Sequence, residues 1–196
     1  APGKVVILGA GAVGTEAAKM ALGLGADVTI LDLNLNRLRY LDDVFGGRLK
    51  TQYSQASAIE ALVSDADLVV GSVLIPGKRA PRLISRELVG SMRPGSVLVD
   101  VSIDQGGCAE TSRPTTHSLP IYVAEGVVHY CVTNMPAACA RTATQALTHA
   151  TLPYALKLAS LGYREALRQD AGLLNGLNLH LGQVTHPNVA ADLDYD

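Results

Sequence analysis

The 196 residues carry 48% hydrophobic and 17% charged side chains, with 16 lysines and arginines against 18 aspartates and glutamates for a formal net charge of −2. A balance so near neutral, without a basic cluster, argues against nucleic acid or an anionic membrane as the main partner, and no stretch approaches the roughly 20 apolar residues of a membrane span. With first residues that show no basic segment followed by an apolar signal core, and three cysteines, Cys108, Cys131 and Cys139, that lack metal-ligand spacing, the expectation is a cytoplasmic chain with reduced thiols.

Ala1-Pro2-Gly3 runs without a start methionine into an apolar strand pattern over residues 4–8, as if the chain were cut from something longer. Gly9, Gly11 and Gly14 follow directly as G-x-G-x-x-G, and an alanine-rich helix pattern covers residues 13–24. Gly9 lets the chain turn sharply off the strand, Gly11 lets a pyrophosphate approach the backbone, and Gly14 lets the helix pack close to the strand. The phosphates then meet free N–H groups at a helix N-terminus, where the macrodipole favours negative charge. The second strand, residues 27–31, is closed by Asp32, eighteen positions beyond Gly14 and close to the usual spacing of about 20. This combination reads as a dinucleotide site. A carboxylate there accepts from the adenosine ribose hydroxyls and repels a 2′-phosphate, so NAD is expected over NADP. Arg37 reads as packing along the adenosine, with a solvated helix residue as the competing account.

Helix and strand patterns keep alternating: helix 35–45 ended by Gly46-Gly47, strand 49–53, helix 56–63, strand 68–71, helix 85–92, and strand 96–101 after the Pro94-Gly95 turn. Residues 121–132 suggest two more strands joined tightly at Glu125-Gly126. The expected fold is α/β: a Rossmann-type doubly wound, mostly parallel sheet followed by a long C-terminal helical segment. Pro136 suits a first helical turn, residues 137–161 form an Ala/Leu/Thr-rich helix that Pro153 should kink or split, and a second helix covers 163–170. A short strand or extended piece at 177–181, His186-Pro187 and an acidic tail close the chain. The expected division is an NAD-binding domain over residues 1–141 and a segment, 142–196, that leans away from the sheet and packs on another domain or subunit.

Ligands of open α/β sheets bind beyond the carboxyl ends of the strands, which singles out three loops. Residues 73–79 carry Lys78 and Arg79, which could fold over the cofactor or simply be solvated. Residues 100–107 carry Asp104, the leading candidate for proton transfer if half buried near the nicotinamide; Asp100 lies nearer the strand, and spacing alone does not separate the two. Asn134-Met135-Pro136 could hydrogen-bond and pack the nicotinamide end, or serve only as a helix cap. His117, His129, His149, His180 and His186 have no paired spacing, so no metal site is expected.

Together the segments 4–14, 73–77, 100–108 (Asp-Val-Ser-Ile-Asp-Gln-Gly-Gly-Cys), 112–116 and 134–136 strongly resemble NAD-dependent L-alanine dehydrogenases over essentially the whole chain. The resemblance implies reversible oxidative deamination of L-alanine to pyruvate and ammonium. It matches Asp104 to the family's catalytic aspartate, Gly9, Gly11 and Gly14 to the pyrophosphate loop, and Asp32 and Arg37 to ribose contacts. It also matches Ser54 to an adenine contact, Val73, Leu74 and Val101 to the cofactor-binding channel, and Asn134 and Met135 to the nicotinamide flank. It further implies a homohexamer, and a catalytic histidine, a lysine and an arginine in an N-terminal substrate domain outside these residues. The NAD-binding part of a proton-translocating transhydrogenase is the nearest alternative, which the segment Asp104 to Cys108 disfavours. A non-catalytic NAD-binding module is the other.

Overall fold

β1 (Lys4–Leu8) is apolar toward both sides: Val5 and Ile7 enter one hydrophobic layer, Val6 and Leu8 the other, and all four are buried. A strand covered on both faces belongs inside a parallel sheet. The computed structural model, which describes residues 1–194, places it there. With β2 (Asp27–Asp32), β3 (Lys50–Tyr53), β4 (Leu68–Gly71), β5 (Val97–Asp100), β6 (Ile121–Ala124) and β7 (Val127–Tyr130) it forms a seven-stranded sheet in the order β3-β2-β1-β4-β5-β7-β6. Every pairing is parallel except the β6–β7 hairpin at one edge, where Glu125 and Gly126 take φ of 52° and 77°. Those paired positive φ values match the twist that a two-residue hairpin turn requires.

α1 (Ala12–Gly23) and α2 (Leu35–Phe45) cover one face through Ala18, Leu38, Leu41 and Phe45; α3 (Ala56–Ser64) and α4 (Arg86–Ser91) cover the other through Ile59, Val63 and Val89. The expected doubly wound sheet is therefore present, and its elements up to β5 lie within one residue of the bounds read from the sequence. Local chemistry explains that agreement. Asn34 caps α2 by accepting from the Asn36 and Arg37 amides at 3.0 and 3.1 Å, and Gly46 ends it in the left-handed region. Strand order reverses between β1 and β4, which opens a crevice at their carboxyl ends.

The chain separates into two compact units, Ala1–Ile75 with Arg79–Thr133, and Pro76–Lys78 with the residues from Asn134 onward. In the second, a 3-10 turn over Met135–Cys139 with Pro136 in its first turn leads into α5 (Ala140–Gln169). Pro153, where a kink or split is expected, keeps helical dihedrals; the backbone leaves them at Gly162 (φ 71°, ψ 157°), between the helices 137–161 and 163–170 read from the sequence. Proline removes one amide and leaves the carbonyl four residues earlier unbonded. That carbonyl, on His149, lies in an exposed stretch where water can serve it. The Gly162 dihedrals are ones that only glycine adopts readily. α6 (Ala171–Asn175), a small hairpin of β8 (Leu179–His180) and β9 (Gln183–Val184), and α7 (Pro187–Asp192) follow. β8 falls within the short strand or extended piece expected at 177–181, whereas α7 has no counterpart in the patterns read from the sequence. The last two residues of the acidic tail, 195 and 196, lie outside the described residues. Among those described, no helix is long and apolar enough to cross a membrane.

His129 on β7 is fully buried, with Nδ1 donating to the Val127 carbonyl at 2.9 Å and Nε2 accepting from Thr111 Oγ1 at 2.7 Å. Burial holds its pKa below the ordinary 6.5 despite the Val127 carbonyl. The unfolded chain therefore binds a proton that the folded chain refuses. Stability is fully present above pH 6.5 and falls as the pH drops below it toward the folded value. Denaturant titrations on either side of that pH should show this slope, and His129→Asn should flatten it; an unchanged slope in the variant would remove His129 as the cause.

Candidate functional site

The turn from β1 into α1 is built on close backbone contact. Gly9 has φ 100°, and a Cβ there would stand 2.6 Å from the Ser72 carbonyl oxygen; one on Gly14 would stand 1.9 Å from the Gly9 carbonyl oxygen. Neither position admits a side chain without moving backbone. Gly11 differs, since a Cβ there would meet nothing within 4 Å. Protein packing does not demand that glycine, and the space above it is open toward the cleft that Gly11 lines. Gly11 is also the N-cap of α1, which no side chain caps, so the first-turn amides face that space.

Asp32, at the end of β2, holds this turn in place. Its Oδ2 accepts from the Ala10 amide at 2.7 Å and its Oδ1 from the Asn34 amide at 2.8 Å. A carboxylate offers about four acceptor sites, so capacity remains for hydroxyl donors on the cleft side, which Asp32 also lines. Arg37 grips the same turn from outside: Nε donates to the Ala10 carbonyl at 2.7 Å and a terminal nitrogen donates to Thr15 Oγ1 at 2.8 Å, with the guanidinium 5.1 Å from the Tyr40 ring centroid. Arg37 is thus engaged by the turn rather than merely solvated. It braces the glycine turn.

The cleft has a volume of about 880 Å³, within the range of roughly 300–1,000 Å³ typical of cofactor and ligand sites. It brings together Gly9, Gly11, Asp32, Ser54, Val73, Leu74, Val101 and Asp104 from the sequence-derived set. Gly14 lies behind it, packed on the Gly9 carbonyl. Asn134 and Met135 belong to the second unit. Asn134 starts the 3-10 turn with φ 52° and without a side-chain cap, so the alternative of a helix cap is not realised. Of the two cations that could fold over the cofactor or simply be solvated, Lys78 belongs to the second unit and Arg79 is not among the lining residues; Arg82 is, with its guanidinium donating to the Ala109 carbonyl. Nothing in the local sequence marks Arg82 above its neighbours. Ser72, also missed, sits directly after β4, and its Oγ donates to the Leu8 and Gly9 carbonyls, each at 3.0 Å.

The structure separates the two carboxylates that spacing left level. Asp100 is fully buried and engaged by donors from the following loop, whereas Asp104, on the 3-10 turn Val101–Gln105, is exposed and lines the cleft. The half-buried setting expected for Asp104 is not present in these residues. Cys108, three residues past the turn, is no nucleophile: burial, reinforced by the Asp100 charge, pushes its thiol well above the usual range.

Residues 1–187 match the family model described as alanine dehydrogenase/PNT, C-terminal domain. Alanine dehydrogenase from Halomonas elongata is 57% identical over 97% of this chain and 51% of its own length. That from Methanococcus maripaludis is 56% identical over 99% and 53%. The chain thus spans about half the length of the curated relatives it matches. Among solved structures, an L-alanine dehydrogenase superposes with a TM-score of 0.84 at 55% identity, covering 98% of this chain and 53% of that one. A transhydrogenase from Sinorhizobium meliloti superposes less fully, with a TM-score of 0.66 at 29% identity over 73% of this chain and 42% of its own.

Proposed function

The chain belongs to the alanine dehydrogenase/PNT C-terminal domain family, and on that premise we propose that it is the cofactor-binding part of an NAD-dependent alanine dehydrogenase. In the reaction L-alanine, NAD and water give pyruvate, ammonium, NADH and a proton. The observation that carries this reading is the joint lining of one cleft by a glycine turn with an uncapped helix N-terminus, the ribose-side carboxylate Asp32 and the exposed carboxylate Asp104.

NAD, when bound, supplies the hydride acceptor. The chain's own residues bind and orient it: the amides at the start of α1 and the open backbone at Gly11 take the pyrophosphate, and Asp32 accepts from the ribose hydroxyls. Ser54 meets the adenine, and Val73, Leu74 and Val101 wall the channel. Arg37, by bracing the Ala10 peptide, keeps the pyrophosphate amides aligned. Asp104 moves protons on the attacking water and the departing amine. A histidine partner and the cations that clamp the substrate carboxylate would come from the remainder of the full-length enzyme. Residues 1–141 act as the cofactor domain. Residues 142–196 form a packing segment, a role supported by the exposed Leu147, Leu152, Leu156 and Leu161 of α5. A cytoplasmic homohexamer completes the reading.

The full-length protein should form NADH from L-alanine and NAD, and consume NADH with pyruvate and ammonium. Absence of both activities in a folded preparation would overturn the proposal. Asp32→Ala should weaken NADH binding by about 1.5–3 kcal/mol for each charge-assisted bond lost, with a smaller effect on NADPH. Calorimetric titration checks this, and an unmodified chain that binds NADPH as tightly as NADH would refute the assignment of Asp32.

A further inference from the structure

Asp100 ends β5 as a fully buried carboxylate whose two oxygens take different limbs of one loop. Oδ1 accepts from the Ser102 amide at 3.1 Å, on the outgoing limb. Oδ2 accepts from the Cys108 amide at 2.8 Å, the Ala109 amide at 3.4 Å and the Ser112 hydroxyl at 2.6 Å, on the returning limb and the turn beyond it. Between the limbs lies the 3-10 turn Val101–Gln105 with Asp104 exposed on it.

We propose that Asp100 is a positioning residue for Asp104, closing the loop from beneath so that the Asp104 carboxylate is presented to the cleft in one place; this rests on the reading of Asp104 as the proton-transfer group. The donor set calls for a carboxylate. Three amides and a hydroxyl all donate, and an ionised carboxylate is acceptor-only with about four sites. An asparagine would turn an NH₂ group toward one set of donors and leave that limb unheld. Burying a charge is costly unless it is fully hydrogen-bonded, and the loop meets that condition.

Packing removes slack from the arrangement. A Cβ on Gly107 would stand 2.8 Å from Asp100 Oδ2 and 2.9 Å from Ser112 Cβ, so the returning limb lies directly against the carboxylate. Ile103 is buried beneath the turn, and Ser102 Oγ donates to the carbonyl of the cleft-lining Val73 at 2.8 Å. Ser112 is backed in turn by the edge hairpin: Cys131 Sγ lies 3.9 Å from its hydroxyl, and Tyr122 donates to the Thr111 carbonyl at 2.8 Å. Asp104 is thus held through its backbone by a buried charge four residues earlier in the chain.

The test uses the full-length enzyme for kinetics and the 196-residue chain for exchange. Asp100→Asn should lower kcat by roughly 10- to 100-fold, the scale of a misplacement near 1 Å, with KM for NADH within a few-fold. Made on an Asp104→Asn background it should cost less than about threefold more, because it acts through Asp104. Ser112→Ala, which removes one donor and keeps the carboxylate, should give a smaller loss of the same sign and serves if Asp100→Asn does not fold. In the chain itself, amide exchange at Ser102, Cys108 and Ala109 should accelerate in the variant while β1 and β4 stay protected. Full turnover in Asp100→Asn, losses that multiply independently in the double variant, or unchanged exchange at those amides would each overturn the proposal. Unchanged turnover in Asp104→Asn alone would instead sink the reading of Asp104 on which it rests, with the exchange result still standing as a measure of the loop.

Discussion

Asp104→Asn in the full-length enzyme should lower kcat by roughly 10²-fold or more, the usual scale for losing a positioned acid or base, while NADH affinity stays within a few-fold. The expectation follows from where the side chain sits. Asp104 is exposed at the cleft and lies on a turn anchored by other residues, so amide for carboxylate leaves the fold intact. Substitutions at such positions usually change stability by no more than about 0.5 kcal/mol. The loss should therefore fall on turnover and leave the melting temperature in place. Steady-state rates with alanine and a thermal melt of the same preparation separate the two. Turnover equal to the parent enzyme in this variant would remove Asp104 from the chemistry.

The second large effect concerns the 196-residue chain assayed by itself. It should bind NADH yet give no steady-state oxidation of alanine. The cleft supplies the glycine turn, the acidic end of β2 and the Asp104 carboxylate, and its described lining contains no histidine to share proton transfer. Aligning substrate with nicotinamide can account for roughly 7–11 kcal/mol of barrier lowering, and one wall of a site cannot hold a substrate in that alignment. Fluorescence titration with NADH and an absorbance assay with alanine read the two properties separately. Turnover at ordinary enzyme rates by this chain would show that its own residues hold the whole catalytic set, and would require a different account of substrate binding.

Much of the cofactor side was legible beforehand because it is governed by short-range constraints. A strand that must turn at once into a helix needs Gly9, and a helix start packed on that turn needs Gly14. Gly46 ends α2 where the sequence places that end. Capping, turn and periodicity rules act over a few residues, so sequence alone carries them. Arg37 shows where this stops. Its neighbours in the chain give no sign that its guanidinium reaches back 27 positions to the Ala10 carbonyl, a contact that exists because β1 and β2 are adjacent strands.

The sequence by itself determined the alternation of strands and helices, the glycine turn, the acidic end of β2 and the two candidate carboxylates after β5. Only the tertiary structure decided between those carboxylates. Asp100 and Asp104 differ by four positions and by no local rule, yet one is sealed among the Ser102, Cys108 and Ser112 donors and the other faces the cleft. Burial and donor supply are sums over elements distant in the chain, and they exist only once the sheet has brought those elements together.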